Sequence, residues 1–458
     1  MQTKTNVSVD VLNRIRESAS VNYQTAVPIA TADSAVIRDI GKIIIDSPNL
    51  QNEFLNSLIN RIGKVIIKTR LFENPLAMFN KGMLEYGETV EEVSVNLCDA
   101  NQYNASASED TVFKREFPDV KSQFHVVNSE IFYKQSVGRR ELEKAFLSAE
   151  GVYDLVEYII QKMYVSANYD EFLVMKYMIA VAALDGTMPI YPVTAVTDEA
   201  SAKGLLKAVK LLSNNFEILS KDYNTAGVYN SSTKEDQYLI IDNANDANLS
   251  VDALAYMFGP AFASNDAKKV RIDGFDKLDI PRLKKVLGLT QDPFNETQLA
   301  ALANIEAVLI DWAWFQIYYK LFETRYLENP ENLYENTWLH AWKIYSRSVF
   351  ENGVIFASGT NGVASVEIKG ASVPTVTHGV AGSADIDVTV TISGLTPMGG
   401  NRVIWSVETS AGATGEASID ANGVLTWTDD FTAADTITVT ATSAIDSTKT
   451  DSETIVVA

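Results

Sequence analysis

The composition of the chain changes at about Gly359, which indicates that two folding units of different class are joined. Before this point the sequence is rich in Tyr, Phe and Leu and has long helical patterns. From Asn361 to Ala458 there is no Tyr, one Phe and three basic residues, while Thr, Ser, Ala and Val are abundant. We therefore divide the chain into a body, residues 1–360, and a tail, residues 361–458.

Short runs of strand composition recur along the tail and predict a small all-β sandwich. Residues with turn chemistry, such as Pro397–Gly400, separate the runs, and Trp405 is predicted to belong to the core. The runs are Ser365–Ile368, Asp387–Ile392, Arg402–Val407, Ile437–Ala441 and Glu453–Val457.

Two stretches of the tail, Val403–Val407 and Ala417–Thr426, together resemble the group 2 bacterial immunoglobulin-like domain (Big-2). This module occurs in phage structural proteins and in bacterial surface proteins. The resemblance covers the tail only and implies an immunoglobulin-like sandwich.

Both parts of the chain are acidic. The net charge of −21 divides into −9 in the tail, from 3 basic and 12 acidic residues, and −12 in the body, from 35 basic and 47 acidic residues. No run of Lys or Arg is longer than two, which disfavours tight or sequence-specific binding to DNA. A protein that only encloses nucleic acid need not be basic.

Cysteine content and hydropathy predict a cytoplasmic protein that does not enter a membrane. Cys98 is the single cysteine, so no intrachain disulfide can form. The start of the chain, Met1–Asn6, lacks the apolar region of an export signal. The most apolar stretch, Ala300–Phe322, contains three charged residues and is a poor candidate for a membrane span.

No pattern in the sequence indicates a catalytic, cofactor-binding or metal site, and we predict that the chain is not an enzyme. His125, His340 and His378 are far apart, and no glycine-rich phosphate loop is present. Asp242–Asp246 is acidic enough to suggest a calcium loop. However, Ala244 occupies a ligand position and the required glycine is missing, so a strand-to-helix turn is the better interpretation.

The body mixes helices and strands without regular alternation, which predicts an α+β fold. A helix is expected from Ser47–Pro48 to Gly63, followed by a strand at Val65–Thr69. Alternating Val93, Val95 and Leu97 predict one strand of an extended two-stranded arm with a polar tip at about 101–110.

The second half of the body predicts further helices and a short strand. Helix-compatible residues continue from Gly151 to Leu184 and predict a long spine helix of roughly 50 Å. An amphipathic helix at Leu205–Leu219, a strand at Tyr238–Ile241 and a helix capped by Ser250 are expected to follow. The apolar run Ala307–Tyr319 is compatible with either helix or strand.

Large aromatic side chains are concentrated between Trp312 and Tyr345. Stacking platforms for single-stranded nucleic acid use such residues, but here acidic and basic residues are interleaved in equal measure. Burial in a core or in a subunit interface is the favoured interpretation.

An ordered set of short motifs resembles the major capsid proteins of small podophages with protein-primed genomes, the Salasmaviridae group. The resemblance spans most of residues 40–358, and some members of the group end in a group 2 immunoglobulin-like domain. The motifs are Asn74–Leu76, Lys81–Gly82, Val112–Lys121, Phe124–His125, Leu239–Asp242, Val251–Ala255, Ile272–Phe275, Ala307–Asp311, Leu327–Pro330, Leu333–Tyr334 and His340–Trp342.

This resemblance implies the Hong Kong 97 capsid fold, with an E-loop at about 74–133, a spine helix at about 151–184 in the peripheral domain and an axial domain at about 202–304. It implies that copies form pentamers and hexamers of an icosahedral or elongated head that encloses double-stranded DNA. No catalytic step or cofactor is needed for this role.

The implied partners are other copies of the chain, scaffolding and portal proteins, and DNA bound without sequence specificity. The implied location is the virion, assembled in the cytoplasm of the host. We expect the acidic tail to lie outside the shell, where it could make weak contacts with a host surface.

Two alternatives come from other functional classes. A bacterial surface adhesin would share the immunoglobulin-like module, but it should have an export signal and repeated modules. A soluble enzyme with a targeting β domain would need a catalytic pair or a cofactor loop.

Overall fold

A computed structural model of the chain has the mixed α+β architecture expected from the sequence. It describes residues 4–65, 72–84, 87, 89–98, 100, 115, 117–147, 162–248, 268–329, 331 and 334–458. The polar arm tip at 101–110 and the helix expected at Ser250 lie outside these residues, as does the first part of the expected spine helix, residues 151–161.

Helices concentrate in the N-terminal part and in the centre of the body. Those within the described residues are α1 (Lys4–Ser18), α2 (Val21–Ala26), α3 (Ser34–Asp46), α4 (Pro48–Val65), α5 (Arg139–Ala145), α6 (Lys162–Asp185), α7 (Glu199–Phe216), α8 (Asn243–Asn248), α9 (Ile280–Leu287) and α10 (Glu296–Leu302).

Strands β1 to β11 belong to the body, and β12 to β19 belong to the tail. They are β1 (Asn80–Met83), β2 (Thr89–Val95), β3 (Val120–Val126), β4 (Ser129–Gly138), β5 (Ile190–Pro192), β6 (Gln237–Asp242), β7 (Lys268–Ile272), β8 (Ile305–Asp311), β9 (Phe315–Asn329), β10 (Tyr334–Arg347), β11 (Gly353–Ala357), β12 (Gly362–Ile368), β13 (Gly382–Asp385), β14 (Val388–Ser393), β15 (Val403–Thr409), β16 (Ala417–Ile419), β17 (Val424–Trp427), β18 (Thr436–Ser443) and β19 (Thr450–Val456).

The described strands of the body form three sheets. One has four strands in the order β1-β9-β10-β4, another has five in the order β5-β11-β8-β6-β7, and β2 pairs only with β3. The apolar run that the sequence left ambiguous consists of β8, a short 3-10 helix at Trp312–Trp314 and the start of β9.

The three central strands of the five-stranded sheet, β11, β8 and β6, are buried on both faces, which explains why they are largely apolar. Ile240 and Val308 face the main core of the body. Their neighbours Leu239 and Ala307 face a second core, which is covered by α7. Successive side chains of one strand point to opposite faces of the sheet, so a single apolar run contributes to both cores.

Helix α6 runs through the main core and is buried on nearly all sides. Phe172–Met175 and Met178–Ala180 lie in the same core as side chains of both large sheets. A helix that is apolar all round is stable only when it is enclosed in this way. We call α6 the central helix.

Two acidic residues of the central helix are buried, and each has a basic and a hydroxyl partner. Lys343 of β10 donates to Glu171 with a nitrogen–oxygen distance of 2.6 Å, and the Tyr319 hydroxyl donates to the same carboxylate at 2.7 Å. Asp170 accepts hydrogen bonds from Tyr133 at 2.7 Å and from Arg282. These contacts hold the helix in one position against β4, β9, β10 and α9.

The tail folds around its own core. Its sheets are β12-β14, β13-β17-β16 and β15-β18-β19. Side chains from all three meet in one buried cluster, and Trp405 is partly buried against it, as predicted from the sequence. The turn at Pro397–Gly400 is also present, with Gly399 at a φ of 75°.

Several predicted boundaries are wrong. Helix α4 begins at Pro48 as expected but continues past Gly63 to Val65, because a glycine inside a helix costs only about 1 kcal/mol. The strand predicted at Val65–Thr69 is therefore wrong at its first residue, and its remaining residues lie outside the described part of the chain. Helix α7 ends at Phe216, so Leu219 lies beyond it and is exposed.

The aromatic residues do not share one environment. Trp314, Phe315 and Tyr345 are buried in the main core, which confirms the core interpretation for these three. Trp312 and Tyr326 are partly exposed on the surface.

The buried ion pair leads to a prediction about stability. Replacing Lys343 with Met should lower the free energy of unfolding by about 3–5 kcal/mol, because the Glu171 carboxylate would stay buried without its partner. The double variant Glu171→Gln/Lys343→Met should recover most of this loss. Urea denaturation of the full chain measures both effects.

The exposed pair of Lys203 and Glu199 supplies the matched control. Lys203→Met should cost less than about 1 kcal/mol, as is usual for surface pairs. A cost of similar size for Lys343→Met would contradict the prediction.

Candidate assembly surface

Strands β2 and β3 form a two-stranded antiparallel ribbon that lies against the body. Thr89 pairs with Val126 at one end, and Val95 pairs with Val120 at the other. This ribbon confirms the two-stranded pairing expected from the alternating valines, although β2 ends at Val95, before Leu97. We call the ribbon the arm. Alternation places successive side chains on opposite faces, so the arm has an inward and an outward face.

The inward face of the arm is polar and is hydrogen-bonded to the body. Gln123 donates to the Arg347 carbonyl at 2.9 Å and accepts from the Val349 amide at 2.9 Å. Lys121 donates to the Ala226 carbonyl at 2.7 Å. These bonds fix the register of the arm with little apolar burial.

His125 is the most deeply buried residue of the inward face, with 1% of its surface exposed. One ring nitrogen lies 2.6 Å from the Ser346 hydroxyl and the other lies 3.1 Å from the Glu92 carboxylate. Glu92 also accepts from the Ser348 hydroxyl at 2.8 Å. The neighbouring Glu91 points to the opposite face, so this acidic pair cannot act as an acid–base dyad.

The outward face of the arm is exposed and mostly apolar, with Glu91 paired opposite Phe124 and Ser122 opposite Val93 as polar members. The exposed fractions are 59% for Phe124 and 81% for Phe117, which precedes β3. Exposed apolar side chains that lie next to each other mark a surface for contact with another molecule. The other apolar members of this face are Val93, Val95, Leu97, Val120 and Val126.

Near the arm, three charged side chains influence one another's protonation. Lys81 lies 2.9 Å from the centre of the Trp312 ring, and its burial lowers its pKa to about 8. Burial raises the pKa of Glu351 to about 7, and the negative charge of Asp311 adds to this effect. Asn230 donates a hydrogen bond of 2.9 Å to the Glu351 carboxylate.

The structure does not bring the three histidines together. His340 lies against Phe132, with ring centres 5.9 Å apart, and the backbone of His378 donates to the Ala458 carbonyl in the tail. Within the described ranges, no group of three or more His, Cys, Asp or Glu residues could hold a metal ion. Among the helices of those ranges, none has both the length and the apolar character of a membrane span.

The acidic segment after β6 is a strand-to-helix turn, as predicted. Asp242 caps the short helix α8 by accepting from the backbone amides of Ala244 and Asn245. Asp246 forms ion pairs with Lys269 and Arg271 of β7. Its carboxylate therefore already has two basic partners.

Comparison with known proteins gives consistent matches. The family described as Phi29-like phage major capsid protein matches residues 12–357. The major capsid protein of Bacillus phage B103 is 33% identical over 92% of this chain and 86% of its own length. That of Streptococcus phage Cp-1 is 27% identical over 75% of this chain and 93% of its own length. A solved chain from the capsid of Staphylococcus phage Andhra has a TM-score of 0.47 at 15% identity, covering 64% of this chain and 86% of that chain.

The raised pKa of Glu351 leads to a prediction about pH dependence. The folded protein binds this proton more tightly than the unfolded chain, whose carboxyl has a pKa near 4.5. The contribution of Glu351 to the free energy of unfolding therefore falls as the pH rises from 4.5 to 7. Glu351→Gln removes this contribution. The stability of the variant relative to the parent should rise by on the order of 1–2 kcal/mol between about pH 5 and about pH 8.

Urea denaturation at the two pH values measures this difference. Glu408→Gln, on an exposed position of β15, is the matched control because it removes a charge without removing a buried carboxyl. An equal change in both variants would contradict the assignment to Glu351.

Proposed function

Because the chain belongs to the Phi29-like phage major capsid protein family, we propose that its arm is the element that joins copies of the chain into a shell. The chain is a phage major capsid protein, a component of the virion that assembles with copies of itself. The arm turns hydrogen-bonding side chains to its own body and most of its apolar side chains outward, and this polarity supports the proposal.

A second copy is the occupant that this surface fits best. A shell repeats the same contacts between identical subunits, so an exposed apolar surface on every subunit can be covered by the next. An interface of standard size buries about 1,600 Å² in total, and several such contacts per subunit make a durable shell from moderate pairwise affinities. The polar bonds of the inward face keep the arm in place before its outward face is covered.

We further propose that the body adopts the Hong Kong 97 capsid fold. The arm would be part of the E-loop at about 74–133, and the central helix would be the main part of the spine helix expected at about 151–184. Residues 202–304 would form the axial domain. The pairing of the arm, the length of the central helix and the family membership support this assignment.

The tail, residues 361–458, would be an immunoglobulin-like domain of the group 2 type displayed on the outside of the head. Its three small antiparallel sheets around one core and its acidic composition support this proposal. The family match ends at residue 357, close to the change in composition at Gly359.

The finer features of assembly are also proposals. Copies would form pentamers and hexamers in the host cytoplasm, with scaffolding and portal proteins as partners, and would enclose double-stranded DNA without reading its sequence. Membership of a structural protein family supports a mechanical role with no catalysis. It gives no support to the adhesin and enzyme alternatives.

Phe124→Asp tests the role of the arm. Phe124 is exposed, so the variant should still fold, with a loss of stability below about 1 kcal/mol because Glu91 lies directly opposite in the ladder. Losing the largest apolar side chain of the strand and adding a second negative charge beside Glu91 should lower the yield of shells at least about tenfold. Sedimentation velocity and electron microscopy measure that yield, with the protein alone and in coat-free lysate of an infected host.

Ile404→Asp is the matched control, since Ile404 is an equally exposed strand residue in the tail. This control should assemble as the parent does. Normal shells from Phe124→Asp would exclude the outward face of the arm as an assembly contact.

A further inference from the structure

The tail returns to the body through one short loop that enters the body's main core. Leu395, between β14 and β15, is fully buried, and its side chain belongs to the same apolar cluster as the central helix and Leu302 of α10. Among the tail residues, all of which the structure describes, Leu395 alone belongs to this cluster. The tail therefore completes the apolar packing of the body.

The same loop satisfies the C-terminal end of the central helix. Thr396 donates its backbone N–H to the Ala183 carbonyl at 3.2 Å. Ala183 lies in the last turn of the helix, where carbonyls have no partner within the helix. The loop thus supplies a hydrogen bond that solvent or another segment would otherwise have to provide.

Gly186 lets the loop come this close. Its φ of 67° is in the left-handed region, and a Cβ atom there would lie 2.7 Å from the Pro397 carbonyl oxygen and 2.7 Å from the Thr396 methyl group. Any other residue would be strained and would also displace the loop. The end of the central helix and the tail loop are therefore packed so closely that no side chain fits between them at this position.

The start of the tail is bonded to the same loop. Asn361 accepts from the Leu395 amide at 2.9 Å and donates to the Ser358 carbonyl at 3.0 Å. The Ser358 amide in turn donates to the Asn304 carbonyl at 2.9 Å, just beyond α10. The connection between body and tail is thus held at both ends, unlike a flexible linker.

We propose that the tail is an intramolecular clamp on the body, with Leu395 and Thr396 locking the end of the central helix against α10. This role goes beyond shell formation, because it operates within a single copy of the chain. It also fixes the orientation of the tail relative to the helix, so that every copy presents its tail at the same angle. Loosening the loop should open the body locally even while both parts remain folded.

Hydrogen exchange measured by mass spectrometry on the full-length, unassembled chain tests the clamp. Leu395→Ala should speed the exchange of body peptides that cover residues 180–188 and 299–304 by roughly 30-fold, because it empties a buried leucine site in the body core. Leu395→Met, which conserves the volume, should keep exchange within about threefold of the parent.

Leu425→Ala is the matched control, because Leu425 is an equally buried leucine whose side chain packs in the tail core alone. It should speed exchange in tail peptides and leave the body peptides near parental rates. Unchanged body peptides in Leu395→Ala would overturn the proposal. If Leu425→Ala speeds the exchange of the same body peptides by an equal factor, the effect could not be assigned to the loop at Leu395 and Thr396. The unassembled chain is used, so neither outcome depends on the role of the arm.

Discussion

The ion pair between Glu171 and Lys343 positions the elements on which the candidate assembly surface rests. Glu171 belongs to the central helix and Lys343 to β10, and both side chains are almost completely buried. The residues that follow Lys343 in the chain, Ser346 to Val349, are those that hold the inward face of the arm. A shift of β10 along the central helix would therefore move the arm as well. One buried pair thus links the packing of the core to the geometry of the surface.

The arm packs on its own subunit through polar side chains, the reverse of the usual arrangement of a surface ribbon. A ribbon that packs through apolar side chains gains burial energy from its own subunit and shows a polar face to water. Here hydrogen bonds to Gln123, His125 and Glu92 hold the ribbon, and the apolar face is left for a further contact. Hydrogen bonds contribute little net free energy but specify geometry well, which suits an element that must be placed before its partner arrives.

Sequence patterns predicted the helices and strands better than they predicted which face of each element is buried and what it contacts. The alternation of Val93 and Val95 identified a strand, yet a period of two residues is the same whichever face is buried. The partners that Gln123 and His125 find in the body lie more than 200 residues away in sequence, so the buried side of the ribbon could not be inferred. Leu395 lies in a run with ordinary loop composition, and only the fold shows that it fills a site in the body core.

In the assembled shell, we expect the outward face of the arm to be buried against another copy of the chain. A cryo-electron microscopy structure of the assembled shell at side-chain resolution tests it most directly. We expect Phe124, Val93 and Val95 to be covered by a neighbouring subunit, while the inward hydrogen bonds to Arg347 and Val349 remain within the same copy. A shell in which this face still contacts solvent would contradict it.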